Sequence, residues 1–319
     1  MKAAFRRILA TMPKRIPFVL IALAAAGALC VARPTTSADQ GGIESMRLKV
    51  GFSAGTFTSV DQREAQAALQ LWTRQLAREM GIRTPPETVV FTRTQDLLAA
   101  VNRGELSVVN LPAIDYLDIR TSARMSPSLV AAGYHENKYR YLIVARRDSG
   151  ITSIPKLRGR SLVMATRKIY TVGYIWLSVL LSKKGCGEPS KFLGEIKESI
   201  SPSKALLNVY FRKHDAAMLS RGALETSIAL NPQLGRQLTI LAESENFPGV
   251  ITCIPHNVSK NLRHRIEEKT TRLHESSVGK QMFTLFQMDR AVPFQPSYLS
   301  GLEDLVRDWN RLPAKRGRK

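Results

Sequence analysis

Strand and helix patterns alternate along this sequence, and that alternation limits the folds it can adopt. MRLKVGF (46–52), ETVVF (87–91) and LSVVNL (106–111) have the composition of strands, and helical patterns separate them. After YRYLIVARR (139–147) the order resumes, with RSLVMA, KFLGEI and DAAMLS as further strands. A β-α-β-α-β order predicts a parallel sheet with helical crossovers. The sequence therefore predicts an α/β protein with parallel-type sheets and helices on both faces.

Two of the predicted helices have clear start signals. Ser59 and Gln62 form a capping box, and Ser201 before Pro202 combines a capping residue with a proline in the first helical position. The helix after the capping box carries apolar residues at helical spacing. These residues are Leu69, Trp72, Leu76 and Met80.

One helix–turn–strand pattern occurs twice. LLAAVNRGELSVVN (97–110) and ALLNVYFRKHDAAM (205–218) each join an amphipathic helix to a strand of small or β-branched residues. The repeat predicts two lobes of the same α/β kind. It also places His214 and Asp215 in the turn before a buried strand, which favours a structural role for this pair over a pocket or a catalytic role.

The loops after the predicted strands are candidates for a binding cleft, because ligands of open α/β sheets bind outside the carboxyl ends of the strands. In the first lobe these loops are SAGTFTS (53–59) and NLPAIDY (110–116). In the second lobe they are TRKIYT (166–171), KESIS (197–201) and SRG (220–222).

The first 38 residues have the pattern of an export signal. Five basic residues precede the apolar stretch Ile16–Ala32, and a polar stretch of small residues follows it. Ala32 and Ala38 both suit the position before a cleavage. Seventeen apolar residues are also enough for an uncleaved anchor, and Cys30 leaves a lipid anchor open. Each alternative predicts that the rest of the chain lies outside the inner membrane.

The net charge of +21 is concentrated at the two ends of the chain. Five basic residues lie within residues 2–15 and five within 311–319. With these set aside, 37 of the 47 basic residues remain against 26 acidic ones, a net charge of +11 that favours an anionic partner. No stretch interleaves aromatic residues with Lys or Arg in the way that single-strand nucleic-acid binders do, so we expect no nucleic-acid partner and interpret residues 313–319 as a solvated basic tail.

Five segments resemble the periplasmic substrate-binding components of phosphate/phosphite/phosphonate-type ABC transporters, which are type II periplasmic binding proteins. The resemblance covers most of residues 46–310, and the phrase I-x-S-I-x-x-L-R-G-R at 151–160 is typical of type II binders. The segments are VGFSAGTFTSVD, GELSVVNLPAIDYL, ITSIPKLRGRSLVMA, TVGYIWLSVLLSKKG and HDAAMLSRGALETSIALNPQLGRQL.

This resemblance implies a solute-binding protein that captures a small phosphate- or phosphonate-like anion in an interlobe cleft for an ABC importer. Lobe one is expected at 46–143 and 248–312 and lobe two at 144–247, with a two-segment hinge near Val144 and Phe247. The implied partners are the small anionic ligand and a permease in the inner membrane. We expect a periplasmic monomer without cofactor, metal or catalytic activity.

The expected ligand-binding residues come from both lobes. Tyr116 aligns with a ligand-contacting tyrosine position of the family. From lobe one we choose Ser53, Thr56 and Tyr116, and from lobe two Arg167, Tyr170, Thr171, Ser201, Ser220 and Arg221.

One of these loops departs from the family pattern. Members that hold phosphonates carry Ser-Thr-Ser-Gly-Tyr at the start of the first helix of lobe two. Here residues 170–174 keep Thr171, Gly173 and Tyr174 but lose two hydroxyl donors. Thr171 is expected to cap that helix, and Arg167 is expected to supply a bidentate grip on the anion.

Two other functions fit parts of the sequence. The same fold could serve as a membrane-anchored sensory or scaffold module retained by residues 16–32. GFSAG (51–55) matches the G-x-S-x-G element of serine hydrolases, but Ser53 lies on the first strand, so no earlier strand supplies an oxyanion loop.

The five histidines are never closer than eight residues, which gives no metal-site spacing. Cys186 and Cys253 are either two buried thiols or a pair.

Overall fold

The structure of the protein is a computed structural model that describes residues 46–57, 62–132, 138–165, 171–199, 201–285 and 288–313. The predicted export segment, residues 314–319 of the basic tail, Ser59, Arg167 and Tyr170 lie outside the described residues. Within the described part, no helix is both long enough and apolar enough to cross a membrane.

The described chain alternates strands and helices, as the sequence predicts. The strands are β1 (Lys49–Ser53), β2 (Glu87–Phe91), β3 (Val108–Pro112), β4 (Met125–Ala132), β5 (Lys138–Tyr139), β6 (Tyr141–Arg146), β7 (Ser161–Ala165), β8 (Glu195–Ser199), β9 (Ala216–Ser220), β10 (Leu238–Glu243), β11 (Phe247–Pro248), β12 (Val250–Pro255) and β13 (Arg290–Pro293). The helices are α1 (Gln62–Glu79), α2 (Thr94–Asn102), α3 (Ala113–Ile119), α4 (Thr171–Lys183), α5 (Pro189–Phe192), α6 (Pro202–Tyr210), α7 (Arg221–Leu230), α8 (Pro232–Gln237), α9 (Lys260–Arg272), α10 (Ser277–Leu285) and α11 (Ser300–Arg311).

Two mixed sheets form the two lobes. The first has the strand order β2-β1-β3-β12-β4-β13 and the second β8-β7-β9-β6-β10. In each sheet three neighbouring strands are parallel, namely β2, β1 and β3 in the first and β8, β7 and β9 in the second. The strands that return from the other lobe, β12 and β6, pair antiparallel with β3 and β9. The predicted α/β fold is confirmed, with antiparallel strands added to each parallel core.

Two chain segments connect the lobes and pair with each other as a short ribbon of β5 and β11. Phe247, predicted at the hinge, lies in this ribbon. Val144 does not: it pairs with Ala217 within the second sheet, so the predicted boundary after residue 143 falls inside β6. Next to the ribbon, the Tyr141 N–H donates to Ser244 Oγ at 2.8 Å, and the Ser244 N–H donates to the Tyr141 carbonyl at 2.9 Å.

Helix α1 packs its predicted apolar face on the first sheet. Leu69, Trp72, Leu76 and Met80 are all buried. The rings of Trp72 and Phe52 on β1 meet edge to face with centroids 5.6 Å apart. Burying a large apolar side chain contributes about 1.5–3 kcal/mol. The packing of this face therefore stabilises the helix more than the interactions at its ends do.

The start of α6 confirms the predicted capping signal. Ser201 Oγ accepts a hydrogen bond from the Lys204 N–H at 3.2 Å, and Pro202 occupies the first helical position. The repeat is confirmed as well, because α2 leads into β3 and α6 into β9, the two strands that flank β12 and β6.

The sequence KFLGEI (191–196) was predicted to form a strand, and this prediction is wrong for the residues before Glu195. Residues Pro189–Phe192 form a helical turn, and β8 begins only at Glu195. Phe192 is buried, and its carbonyl accepts from the Gly159 N–H at 2.9 Å, while the Gly194 N–H donates to the Arg160 carbonyl at 3.0 Å. These tertiary contacts hold the segment in a turn that its apolar pattern alone does not specify.

The C-terminal helix α11 does not belong to lobe one alone, as the range 248–312 implied. It packs against α4 of the second lobe, where Lys183 Nζ lies 2.7 Å from Asp308 Oδ2 and the ring of Tyr174 meets Trp309 at 6.3 Å. Glu303 of the same helix pairs with Arg120 near the end of α3. The helix therefore contacts both lobes beside the hinge.

His214 and Asp215 form a structural turn, as predicted. Asp215 Oδ2 accepts hydrogen bonds from both the N–H and the hydroxyl of Ser161, each at 2.8 Å. This turn precedes β9 at the sheet edge away from the hinge. The pair therefore ties the starts of β7 and β9 together and lies far from the strand ends where a ligand is expected.

Candidate functional site

The topology brings the carboxyl ends of the parallel strands of both sheets to the hinge side. In the first sheet, Val250 at the start of β12 pairs with Pro112 at the end of β3, and β4, which runs parallel to β3, leads into the hinge. In the second sheet, Tyr141 at the start of β6 pairs with Ser220 at the end of β9. The loops after the parallel strands therefore lie at the two edges that adjoin the hinge, which is where open α/β sheets bind ligands.

Ser53 ends β1 at this edge, and its hydroxyl is already engaged. Ser53 Oγ donates to Asp115 Oδ2 at 3.0 Å and accepts from the Gly55 N–H at 3.3 Å. Ser53 itself is buried. Within the described residues, the partner of the Ser53 hydroxyl is a carboxylate and not the histidine of a serine-hydrolase triad.

Asp115 lies in the first turn of α3. Burial raises the pKa of Asp115 above its ordinary value, the hydrogen bond from Ser53 opposes that rise, and the charge of Asp118 adds to it. The carboxyl group thus joins the loops after β1 and β3. Sequence reasoning marked the loop NLPAIDY but missed this residue.

Thr56 and Tyr116 are the other two residues expected to bind ligand from the first lobe. Thr56 Oγ1 donates to the Asn110 carbonyl at 3.4 Å. Tyr116 is buried, and burial raises the pKa of its phenol. Asn110, which sequence reasoning also missed, is buried on β3 and accepts from Thr252 Oγ1 at 2.7 Å. Its Nδ2 has no hydrogen-bond partner within the described residues.

Three helices of the second lobe begin at the matching edge. Ser220 caps α7 by accepting from the Ala223 N–H at 3.3 Å, as Ser201 caps α6. Thr171 was expected to cap α4, and a capping residue lies immediately before its helix. Thr171 is instead the first residue of α4, and it is exposed. Gly173 packs against Tyr141, since a Cβ at this position would lie 2.9 Å from the tyrosine ring. The retained glycine therefore lets α4 approach the hinge.

Arg221 follows β9 but is paired with acidic side chains. Its Nε donates to Glu243 Oε1 at 2.8 Å, and its Nη1 lies 3.6 Å from Glu225. The hydrogen bond from Arg221 lowers the pKa of Glu243, and Arg140, 3.1 Å away, acts in the same direction. Sequence reasoning missed Glu243 because no motif accompanies it. The expected second cation, Arg167, lies outside the described residues.

No group of three or more His, Cys, Asp or Glu side chains with metal-site geometry occurs in the ranges that the structure describes. Both Cys186 and Cys253 have free thiols, Cys253 buried and Cys186 half-buried. What the hinge-side edges offer is therefore a set of hydroxyls, helix N-termini, an amide and a carboxyl group, which suits noncovalent recognition of a polar ligand.

Two mixed α/β lobes, joined by two paired segments and with the carboxyl-end loops of both sheets on the hinge side, define a type II periplasmic binding protein. The family of ABC-transporter phosphonate periplasmic substrate-binding proteins matches residues 54–299. The chain belongs to this family, whose members are substrate-binding components of transporters rather than enzymes and act in the periplasm. No protein of curated function matches the sequence.

Solved structures with this architecture are distant in sequence. A Xanthomonas citri protein bound to a chloride ion superposes with a TM-score of 0.62 at 17% identity, covering 83% of this chain and 98% of that one. PhnD1 of Prochlorococcus marinus, in complex with methylphosphonate, gives 0.60 at 15% identity, covering 83% and 99%. A binding-protein component of an ABC phosphonate transporter from Pseudomonas aeruginosa gives 0.59 at 14% identity, covering 84% and 87%. At such identities the likeness establishes the fold.

Proposed function

We propose that this protein captures a small oxyanion of the phosphonate or phosphate kind between its two lobes and delivers it to an ABC importer in the inner membrane. The observation that carries the proposal is that the carboxyl-end loops of both sheets lie on the hinge side in a chain of this family. The ligand class is taken from the family and from the methylphosphonate bound by PhnD1.

The helices support an anionic ligand. Every helix that directly follows a parallel strand at the hinge-side edge begins there, so its N-terminus carries N–H groups without a carbonyl partner inside the helix and the positive end of the helix dipole. These helices are α1, α2 and α3 in the first lobe and α4, α6 and α7 in the second. The excess of basic residues outside the two ends of the chain adds a favourable field for an anion.

The residues proposed to bind the ligand remain those chosen from the sequence, but we expect them to contribute unequally to the affinity. Ser201 and Ser220 each accept a backbone N–H as helix caps, and the hydroxyl hydrogen of Ser201 can be donated to an anion. Arg221 shares its charge with two acids, so Arg167 is the cation on which binding is expected to depend most. Binding is noncovalent, without metal or cofactor, in a monomer exported to the periplasm.

The same fold could instead serve a membrane-anchored sensory module, and the N-terminal segment decides between the two. Fractionation of cells that produce the full chain separates them. Release of a shortened chain with the periplasmic fraction supports the transport component. A full-length chain confined to the membrane fraction supports the anchored module.

Calorimetric titration with methylphosphonate tests the ligand proposal. Charge-assisted hydrogen bonds contribute about 1.5–3 kcal/mol, so Arg167→Ala is expected to weaken binding about ten- to a hundredfold. Thr56→Val is expected to weaken it severalfold. Arg236→Ala, an exposed arginine at the far edge of the second sheet, is the matched control and leaves affinity unchanged. Equal affinities for all four proteins contradict the proposed site.

A further inference from the structure

The carboxylate of Asp115, in the first turn of α3, is half-buried. Arg93, Asp96 and Asp118, which lie before α2 and within α2 and α3, are exposed. Asp115 Oδ2 accepts from Ser53 Oγ at 3.0 Å. The backbone of Gly55 passes so close that a Cβ there would lie 3.4 Å from Oδ2.

No lysine or arginine within the described residues forms an ion pair with Asp115. This distinguishes it from Glu243 across the hinge, which two arginines neutralise. The Ser53 hydroxyl orients the Asp115 carboxylate without cancelling its charge. It therefore presents an acceptor at an edge where the proposed function places an anion.

An ionised carboxylate can only accept hydrogen bonds, and its two oxygens have room for about four. One of these is filled by Ser53. A phosphonate or phosphate that retains one P–OH group can donate to a remaining lone pair. A sulfonate carries no hydrogen on its oxygens. When bound, it would place a sulfonate oxygen against the Asp115 carboxylate oxygens in a half-buried site, where an unmatched charge is costly.

We propose that Asp115 determines the specificity of the cleft by requiring an oxyanion that carries an ionisable hydrogen, and that Ser53 is the residue that positions its carboxylate. The inference rests on the proposed function and narrows its ligand class. In it, the Asp115 carboxylate accepts the ligand's hydrogen while helix N-termini hold its negative charge.

Methylphosphonate and methanesulfonate form a matched pair for the test, because at neutral pH the first is present mainly with one P–OH hydrogen and the second has none. Calorimetry is expected to show that the wild type binds methylphosphonate about ten- to a hundredfold more tightly. Asp115→Asn supplies an amide donor in place of the acceptor. It is expected to bring the two affinities within severalfold, mainly by admitting methanesulfonate. Asp118→Asn, the same charge change on the exposed side of the helix, keeps the preference.

Ser53→Ala provides a second variant if Asp115→Asn does not fold. It keeps the acid but removes the hydroxyl that orients it, so the affinity ratio is expected to fall without reaching unity. An unchanged ratio in whichever of these variants folds overturns the inference. So does equal binding of both ligands by the wild type, an outcome that leaves the proposed function intact.

A titration with aminomethylphosphonate covers the competing interpretation, in which Asp115 pairs with an ammonium group of the ligand. If Asp115→Asn loses only the added affinity for the amino compound and keeps the preference for methylphosphonate over methanesulfonate, the specificity proposal is wrong. If neither methylphosphonate nor methanesulfonate binds at all, both the proposed function and this inference are overturned.

Discussion

Arg221 Nε lies 2.8 Å from Glu243 Oε1, so the start of α7 and the end of β10 are joined by a charge-assisted hydrogen bond beside the hinge. Arg140 reaches the same carboxylate at 3.1 Å from the other hinge segment. One acid therefore neutralises two of the cations that face the expected cleft. The pairing stabilises the hinge and limits how much of the Arg221 charge a ligand can use.

Glu243→Gln is expected to destabilise the protein by about 1–3 kcal/mol at neutral pH, because it removes the anion that Arg140 and Arg221 share. The pKa of Glu243 is lowered in the folded state, so its contribution is present above the ordinary glutamate pKa and is lost as pH falls through the lowered value. Urea unfolding at neutral and acidic pH measures both effects. Glu195→Gln, an exposed acid at the far edge, is the control, and an equal loss there contradicts the prediction.

The same variant carries a prediction for binding. Without Glu243, the Arg221 guanidinium is free to approach an anion, so Glu243→Gln is expected to bind methylphosphonate severalfold more tightly than the wild type. The double variant Glu243→Gln with Arg221→Ala is expected to lose this gain. A gain that persists in the double variant removes Arg221 from the binding set.

Asp115 is expected to make stability depend on pH in the opposite direction. Burial raises its pKa in the folded state, so the protonated form is favoured there, and stability is lost as pH rises through the raised value. Asp115→Asn is expected to match the wild type in acid and to become relatively more stable towards neutral pH. Melting temperatures measured across that range test this. A difference that does not change with pH shows that burial does not control this group.

Ser201 has two assigned roles that one variant can separate. Ser201→Ala removes the cap of α6 and is expected to cost about 0.5–2 kcal/mol of stability. Ser203→Ala, on the exposed first turn of the same helix, is expected to cost much less. If Ser201 also contacts ligand, calorimetry shows weaker methylphosphonate binding only in the first variant. Unchanged affinity with reduced stability leaves it as a cap alone.

The parts of the fold that local sequence controls were predictable. The spacing of Leu69, Trp72 and Leu76 gives the buried face of α1, and Ser201 before Pro202 gives the start of α6, because each depends on neighbours within a few residues. The turn at Pro189–Phe192 was not predictable, because contacts with the segment before β7 decide it.

The candidate site shows the same limit. Sequence pattern located the loops after the strands, because the carboxyl-end rule follows from topology. It did not identify Asp115, whose partner Ser53 is 62 positions away, or Glu243, which binds Arg140 from 103 positions away. Such pairs form only when separate strands come to one edge. The residues that neighbour either acid in the sequence do not indicate its partner.

The two cysteines outside the export segment are expected to react differently with an alkylating reagent. Cys253 is fully buried, and burial raises its thiol pKa, so little thiolate forms. Cys186 is half-buried at the end of α4. Mass spectrometry after treatment of the folded protein should find Cys186 modified and Cys253 intact, with both modified after unfolding. Early modification of Cys253 contradicts the packing of β12.

The melting temperature of the purified protein, measured with a panel of small solutes, tests the central claim most directly. Phosphate, phosphite, phosphonates, sulfonates and carboxylates are compared with neutral sugars and amino acids at the same concentration and ionic strength. A ligand present at a hundred times its dissociation constant stabilises the folded state by about 2.7 kcal/mol, which raises the melting temperature by a few degrees. We expect the rise with phosphonate or phosphate compounds and none with neutral sugars. A rise only with a neutral or cationic compound contradicts the account of an oxyanion-binding cleft.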